Sequence, residues 1–196
     1  MVRSGSWDVS EVTGAELYDT LSSLVVPRPI ALVSTVSREG IQNLAPFSFF
    51  MLGGTNPPSV CFSPVVGPQG EKDSLRNAEQ TGEVCINGVH RSVVHGANQA
   101  SAPVDSSTSE WDLGELSPVP CDLIKPWRVL QSPFSFECKL VDVLRHGTAP
   151  GAARYVVCEI LRVHVASPTS LPSARLGGRD YLDLDALEIF ELGRPE

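Results

Sequence analysis

Residues 28–49, Arg28-Pro-Ile-Ala-Leu-Val-Ser-Thr-Val-Ser-Arg-Glu-Gly-Ile-Gln-Asn-Leu-Ala-Pro-Phe-Ser-Phe49, constrain this chain more than any other stretch. The run Ile30–Val36 is apolar and β-branched, which predicts a strand. Ser37-Arg38-Glu39-Gly40 supplies a turn in which Gly40 can take a positive φ. The returning arm starts at Ile41 and Leu44, but Asn43, Pro46 and Ser48 interrupt it. Proline cannot donate to a ladder, so Pro46 requires either a bulge or a sheet edge. A bulge would leave backbone groups free and re-aim side chains. The polar groups Ser34, Thr35, Asn43 and Ser48 cluster around that point, and a hairpin that only filled a core would not need them.

Further elements follow from pattern and punctuation. Thr13 or Ser10 can cap a helix over 14–21. Asn56-Pro57-Pro58 is a turn before a strand over 59–63. Residues 65–71 form a loop, 73–80 a short helix stopped by Gly82, and 83–89 a strand. Residues 91–100 have helical character. The Ser-, Pro- and Asp-rich stretch 102–120 predicts a long surface excursion with one helical turn near Trp111. Alternation of Phe134, Phe136, Cys138 and Leu140 predicts a strand over 134–144. A Gly/Ala/Pro turn over 145–153 leads to another strand over 155–165. Many strands with few helices predict an antiparallel barrel, closed or partly closed. The 196 residues show no internal repeat and fit one domain, 1–196.

Composition removes several function classes. A formal net charge of −8 and the absence of a Lys/Arg cluster argue against nucleic acid as a partner. Apolar runs fall far short of the roughly 20 residues a membrane helix needs. The polar start Met1–Ser10 lacks the apolar core of a signal peptide, so a cytoplasmic location is expected. The five cysteines contain no Cys-x-x-Cys pair and read as reduced, mostly buried thiols. No metal site is expected: His90 and His95 lack a second ligand pair, and His164 sits in a strand as a barrel histidine. There is no Walker motif, no Gly-x-Ser-x-Gly and no dinucleotide fingerprint, so any nicotinamide binds without a Rossmann unit.

Lys72-Asp73-Ser74-Leu75 opens the short helix. A helix start offers free N–H groups and a positive dipole end to a phosphate, with Lys72 adding charge and Ser74 a hydroxyl. The same residues equally read as a capped helix beside a solvated lysine. Ser34 and Thr35 equally read as ordinary strand polar residues, Phe49 and Phe50 as core, and Arg175 as a surface arginine in a Gly turn.

The pattern from Arg28 to Phe50, together with Lys72–Asn77, Thr81–Val84 and Arg175–Tyr181, resembles the flavin reductase-like family over roughly Tyr18 to Tyr181. The resemblance implies a mainly β fold, a six-stranded antiparallel Greek-key split β-barrel with a few short peripheral helices. It implies FMN, with FAD possible, held by Ser34, Thr35, Asn43, Ala45, Pro46, Phe47 and Ser48 around the ring. Lys72 and Ser74 would then lie near the phosphate, Arg175 at the phosphate or ring edge, and Asp73 would act as a cap. NADH or NADPH would be the reductant, passing hydride from nicotinamide C4 to flavin N5. With the cofactor carrying the chemistry, no catalytic side chain is expected. Homodimers and a partner monooxygenase that takes the reduced flavin are also implied. Two other readings stay open: a flavoenzyme that retains FMN and acts on an organic substrate, and a non-enzymatic FMN-binding electron carrier.

Overall fold

The computed structural model describes residues 4–166, 171–193 and 195; Met1, Val2 and Arg3 of the polar amino terminus lie outside them. The elements run α1 (Gly14–Leu24), β1 (Arg28–Pro29), β2 (Ala31–Val36), β3 (Gln42–Phe47), β4 (Phe50–Thr55), β5 (Pro58–Phe62), α2 (Asp73–Thr81), β6 (Glu83–Gly88) and α3 (Val94–Gln99). There follow β7 (Pro118–Val119), β8 (Arg128–Val129), β9 (Phe134–His146), β10 (Ala153–Val165), β11 (Ala174–Arg175), β12 (Asp180–Asp183) and β13 (Glu188–Glu191).

Local chemistry explains the boundaries. Thr13 and Glu16 form a reciprocal capping box: Glu16 N–H donates to Thr13 Oγ1 at 3.3 Å, and Thr13 N–H donates to Glu16 Oε2 at 3.0 Å. α2 ends at Gly82, whose φ of 73° closes the last turn at little steric cost. Lys72, not Asp73, is its N-cap residue; Asp73 lies inside the first turn and its carboxylate pairs with Arg76.

The main sheet has the order β3-β2-β6-β9-β10-β5-β4. Among the described residues it has seven strands, not the expected six, and no ladder closes it. The extra strand is β4, where Gly53 and Gly54 lower strand propensity and hide the apolar start Phe50-Met51-Leu52. β3 and β4 are the two edges, yet only Ser48 and Phe49 separate them in sequence. The sheet is therefore rolled until its edges meet at one corner, where Ser63 N–H donates to Phe49 carbonyl oxygen at 2.8 Å.

β2 is buried at all six positions because both faces of the sheet are covered. Leu32 packs with Leu44, Val89, Val94 and Trp111 on one side. Ala31 and Val33 pack with Val60, Phe62, Leu75 and Ile86 on the other. Each fully buried side chain of this size contributes about 1.5–3 kcal/mol. A second sheet, β1-β11-β12-β13, pairs Arg28 with Arg175 and stands against the end of α1. Gly177 makes that approach possible: a Cβ there would lie 2.5 Å from Ser23 Oγ. No helix among the described residues is long and apolar enough to cross a membrane.

Candidate functional site

The hairpin β2–β3 pairs from Ala31↔Phe47 to Val36↔Gln42 without a register shift. Pro46 therefore sits on a sheet edge rather than in a bulge. Leu44 N–H donates away from β2, to Glu110 Oε2 at 3.1 Å. Antiparallel alternation turns the nitrogen of Pro46, two residues on, the same way, so the proline removes no ladder bond. What it removes is an outward N–H on the rim of a cavity.

That cavity measures about 320 Å³ and is lined by Pro46, Ser48, Lys72, Arg175, Tyr18 and Tyr181 over an apolar floor of Ile30, Val89, Val94 and Ala97. Asn98 and Ser101 of the α3 region complete it. Four of the ten expected residues, Pro46, Ser48, Lys72 and Arg175, thus meet there from three parts of the chain. No aspartate or glutamate lines it, although the chain carries a net charge of −8. Lys72 is exposed and has no ion pair among the described residues. Arg175 lies over the Tyr181 ring at 4.4 Å and donates to Gly178 carbonyl oxygen at 2.5 Å.

The strand's two-residue period sends the other expected residues elsewhere. Thr35 and Asn43 face α2 and join a buried network. Thr35 Oγ1 and Ser74 Oγ donate to Asn43 Oδ1 at 3.1 and 3.0 Å, and Asn77 Nδ2 donates to Thr35 Oγ1 at 3.2 Å. Asn43 Nδ2 donates to Glu110 Oε2 at 2.6 Å. Ser74 thereby spends its hydroxyl inside the protein. Ser34 is fully buried, and its Oγ has no hydrogen-bond partner. Ala45 is half-buried, and Phe47 is half-buried against Phe62 at a ring separation of 5.4 Å. Asn43 and Glu110 also line a second, polar cavity of about 270 Å³ with Ser37, Asp73, Arg76 and Ser107.

Sequence reasoning missed three groups. Tyr18 comes from the first helix, far from the hairpin in sequence. Glu110 lies in the stretch read as a surface excursion, yet Trp111 beside it is 6% exposed and packs in the core, 5.7 Å from Trp127. Arg28, 6% exposed, donates to Ser48 on the cavity lining; the one available signal was an arginine just before the apolar start Ile30-Ala31-Leu32-Val33. Burial pushes its pKa below the usual arginine value, the neighbouring Tyr18 acts against that shift, and Arg175 adds to it.

Elsewhere, Asp122, Glu137 and His164 place one ligand atom each within 4.8 Å of one another. Glu137 accepts from Asp122 N–H at 2.9 Å and Leu123 N–H at 2.7 Å and lies 2.6 Å from His164 Nε2, so a strand carboxylate pins a loop. His90 pairs with Asp185 at 2.8 Å.

The first cavity combines an apolar floor with the two cationic side chains Lys72 and Arg175. Its volume falls within the range of small-molecule sites. A family model, flavin reductase like domain, matches residues 22–176. Nitrilotriacetate monooxygenase component B from Bacillus cereus superposes with a TM-score of 0.84 at 26% identity, covering 100% of this chain and 99% of that one. The 2-nitrobenzoate 2-nitroreductase of Pseudomonas fluorescens gives 0.79 at 24% identity, covering 97% and 96%. A Shewanella frigidimarina protein with a split barrel domain gives 0.77 at 24%, covering 95% and 94%.

Proposed function

Because the chain belongs to the flavin reductase-like family, we propose that it is an NAD(P)H-dependent flavin reductase that binds FMN in the cavity between Lys72, Arg175 and Tyr181. One observation carries the reading: an acidic chain keeps every carboxylate out of a cavity that holds two cationic side chains. When bound, FMN would supply the chemistry, accepting hydride at N5 from nicotinamide C4.

The protein's own residues bind, orient and shield. Lys72 and Arg175 attract the phosphate, and a charge-assisted hydrogen bond to it is worth about 1.5–3 kcal/mol. The apolar floor takes the ring, with Tyr18 and Tyr181 as aromatic walls. Pro46 and Ala45 keep the strand edge thin at the rim. The second sheet carries Arg175 and Tyr181 and sets the width of the opening. A flavin that enters and leaves would serve a partner monooxygenase, in keeping with the component B likeness.

Exposed apolar residues also favour a homodimer. Leu21, Leu24 and Val25 at the end of α1, with Met51 and Leu52 on the edge strand β4, are each at least half exposed. Tyr18 of the cavity lies 6.2 Å from Phe49 at the border of this patch, so a second copy would seat beside the site.

The test is anaerobic oxidation of NADH or NADPH with free FMN in excess over protein. Turnover of many equivalents of FMN supports the reading; a single equivalent consumed, with no further turnover, contradicts it. A second reading, retained FMN acting on an organic substrate, draws on the nitroreductase likeness and predicts that single equivalent until the substrate is added.

A further inference from the structure

Arg28, Arg175, Tyr181 and Phe190 stand directly opposite one another in register across β1, β11, β12 and β13. Residues paired in this way project from the same face of an antiparallel sheet, about 4.5–5.5 Å from neighbour to neighbour. They form one row, with Arg175 between Arg28 and Tyr181, and Tyr181 between Arg175 and Phe190. From Arg175 onward each step of the row is a ring contact. The Arg175 guanidinium lies over the Tyr181 ring at 4.4 Å, and Tyr181 stacks on Phe190 at 5.5 Å with an interplanar angle of 17°. Arg91, on the turn after β6, closes the far end with its guanidinium 3.5 Å over the Phe190 ring. His90 beside it pairs with Asp185 at 2.8 Å, which ties this turn to the connection between β12 and β13.

The row leaves Arg175 little freedom. On one side stands a fixed like charge: Arg28 Nη1 donates to the carbonyls of Ser22 and Val25, and its Nη2 donates to the carbonyl of Leu176 at 2.8 Å. Like charges directly opposite repel, and the face of an aromatic ring attracts a cation, so both forces press Arg175 onto Tyr181. Tyr181 is itself held. Its hydroxyl donates to Asn98 Oδ1 at 3.4 Å, and Phe190 fills the side away from Arg175. Among the described residues no carboxylate pairs with Arg175 or Arg28. Arg175 spends one N–H on the Gly178 carbonyl oxygen, and its remaining donors have no protein acceptor there. Arg175 and Tyr181 line the cavity, whereas Phe190 and Arg91 do not.

We propose that Phe190 and Arg91 are positioning residues which, through the Tyr181 ring, hold the free donors of Arg175 in place for the anionic group of the cavity's ligand. Resting on the flavin-binding reading above, this makes β13 and the turn at Arg91 determinants of the preference for a phosphorylated flavin over riboflavin. Removing the Phe190 ring opens space beside Tyr181. The tyrosine then tilts into that space, and Arg175 loses the surface it rests on. The apolar floor of Ile30, Val89, Val94 and Ala97 stays as it was, so a flavin without a phosphate does not sense the change.

Fluorescence titration of FMN and riboflavin provides the test in wild type, Phe190→Leu, Phe190→Tyr and Arg91→Ala, at about 0.15 M salt so that the direct field of Arg91 is largely screened. Phe190→Leu should weaken FMN about fivefold and riboflavin by less than about twofold. Phe190→Tyr, which keeps the ring, should restore the wild-type preference. Should Phe190→Leu fail to fold, Arg91→Ala, at an exposed position, carries the test with a loss of about threefold confined to FMN. An equal loss for both flavins, no loss for either, or a loss that Phe190→Tyr fails to reverse overturns the proposal. An Arg175→Ala control separates the two levels. If Arg175→Ala abolishes the preference for FMN while Phe190→Leu keeps it, the cationic site stands and this inference falls. If Arg175→Ala keeps the preference as well, the phosphate does not meet Arg175 and the reading of the site is itself wrong.

Discussion

Glu110 Oε2 accepts from Asn43 Nδ2 at 2.6 Å and from Leu44 N–H at 3.1 Å, and through these two bonds the 102–117 stretch is fastened to the edge strand. Ser109 Oγ adds a bond to Gln42 carbonyl oxygen at 2.6 Å. The segment thus covers an edge that would otherwise expose unpaired donors.

Glu110→Ala should lower stability by about 2–3 kcal/mol, since it orphans a buried amide and a backbone N–H. Glu110→Gln keeps an acceptor and should cost less. Burial pushes the Glu110 pKa up, against the pull of Asn43 and Leu44. The folded state then holds this proton more tightly than the unfolded state, so the contribution weakens as pH rises from the ordinary glutamate range through the raised value. Urea unfolding from pH 4 to 7 should show the stability of wild type falling relative to that of Glu110→Gln.

Glu71 shows the opposite sign. Its hydrogen bond with Arg154, 2.7 Å long, holds the carboxyl below the usual range, with Arg145 adding to the effect against partial burial. Arg154 is only 5% exposed. The stabilisation is complete above the ordinary glutamate pKa and disappears as pH falls through the lowered one. Glu71→Gln should cost about 2 kcal/mol at pH 7, and the gap to wild type should close under acid. Thermal melts across pH 3–7 check this, and FMN affinity should fall with it because Glu71, tied to Arg154, directly precedes Lys72 in the chain.

The five cysteines are all free thiols, with Cys85, Cys138 and Cys158 buried. Burial pushes Cys138 well up and Cys158 up to about 12; a hydrogen bond with Cys121, then burial, raises Cys85. A thiol reagent at pH 8 should label Cys61 and Cys121 in the native protein and reach the other three on unfolding. Rapid native labelling of Cys138 would contradict the packing of the sheet. Mass analysis of labelled peptides reads the result.

Periodic apolar runs were legible in the sequence wherever burial dictated them. The strands over Ala31–Val36, Glu83–Gly88 and Phe134–His146, and the helix stopped at Gly82, lie where pattern and punctuation put them. β4 was not legible, because a Gly-Gly pair in a strand gains its order from β5 alongside rather than from its own propensity. The small second sheet escaped for a related reason: β1 and β11 are two residues each and gain their order from pairing, β1 with β11 and β11 also with β12. At the site, residue types were readable but facing was not. Ser34 and Thr35 are neighbours pointing to opposite sides, and Ser74 turns inward to Asn43. Arg28 and Glu110 act through contacts 20 and 67 residues away in sequence, which no local pattern encodes.

The central claim is that the cationic cavity holds the phosphate of a flavin. Titrating FMN and riboflavin against wild type and Lys72→Ala tests it most directly. FMN affinity should fall about tenfold, or about 1.4 kcal/mol, while riboflavin affinity stays within twofold. An equal response of the two flavins, or none in either, would contradict the account.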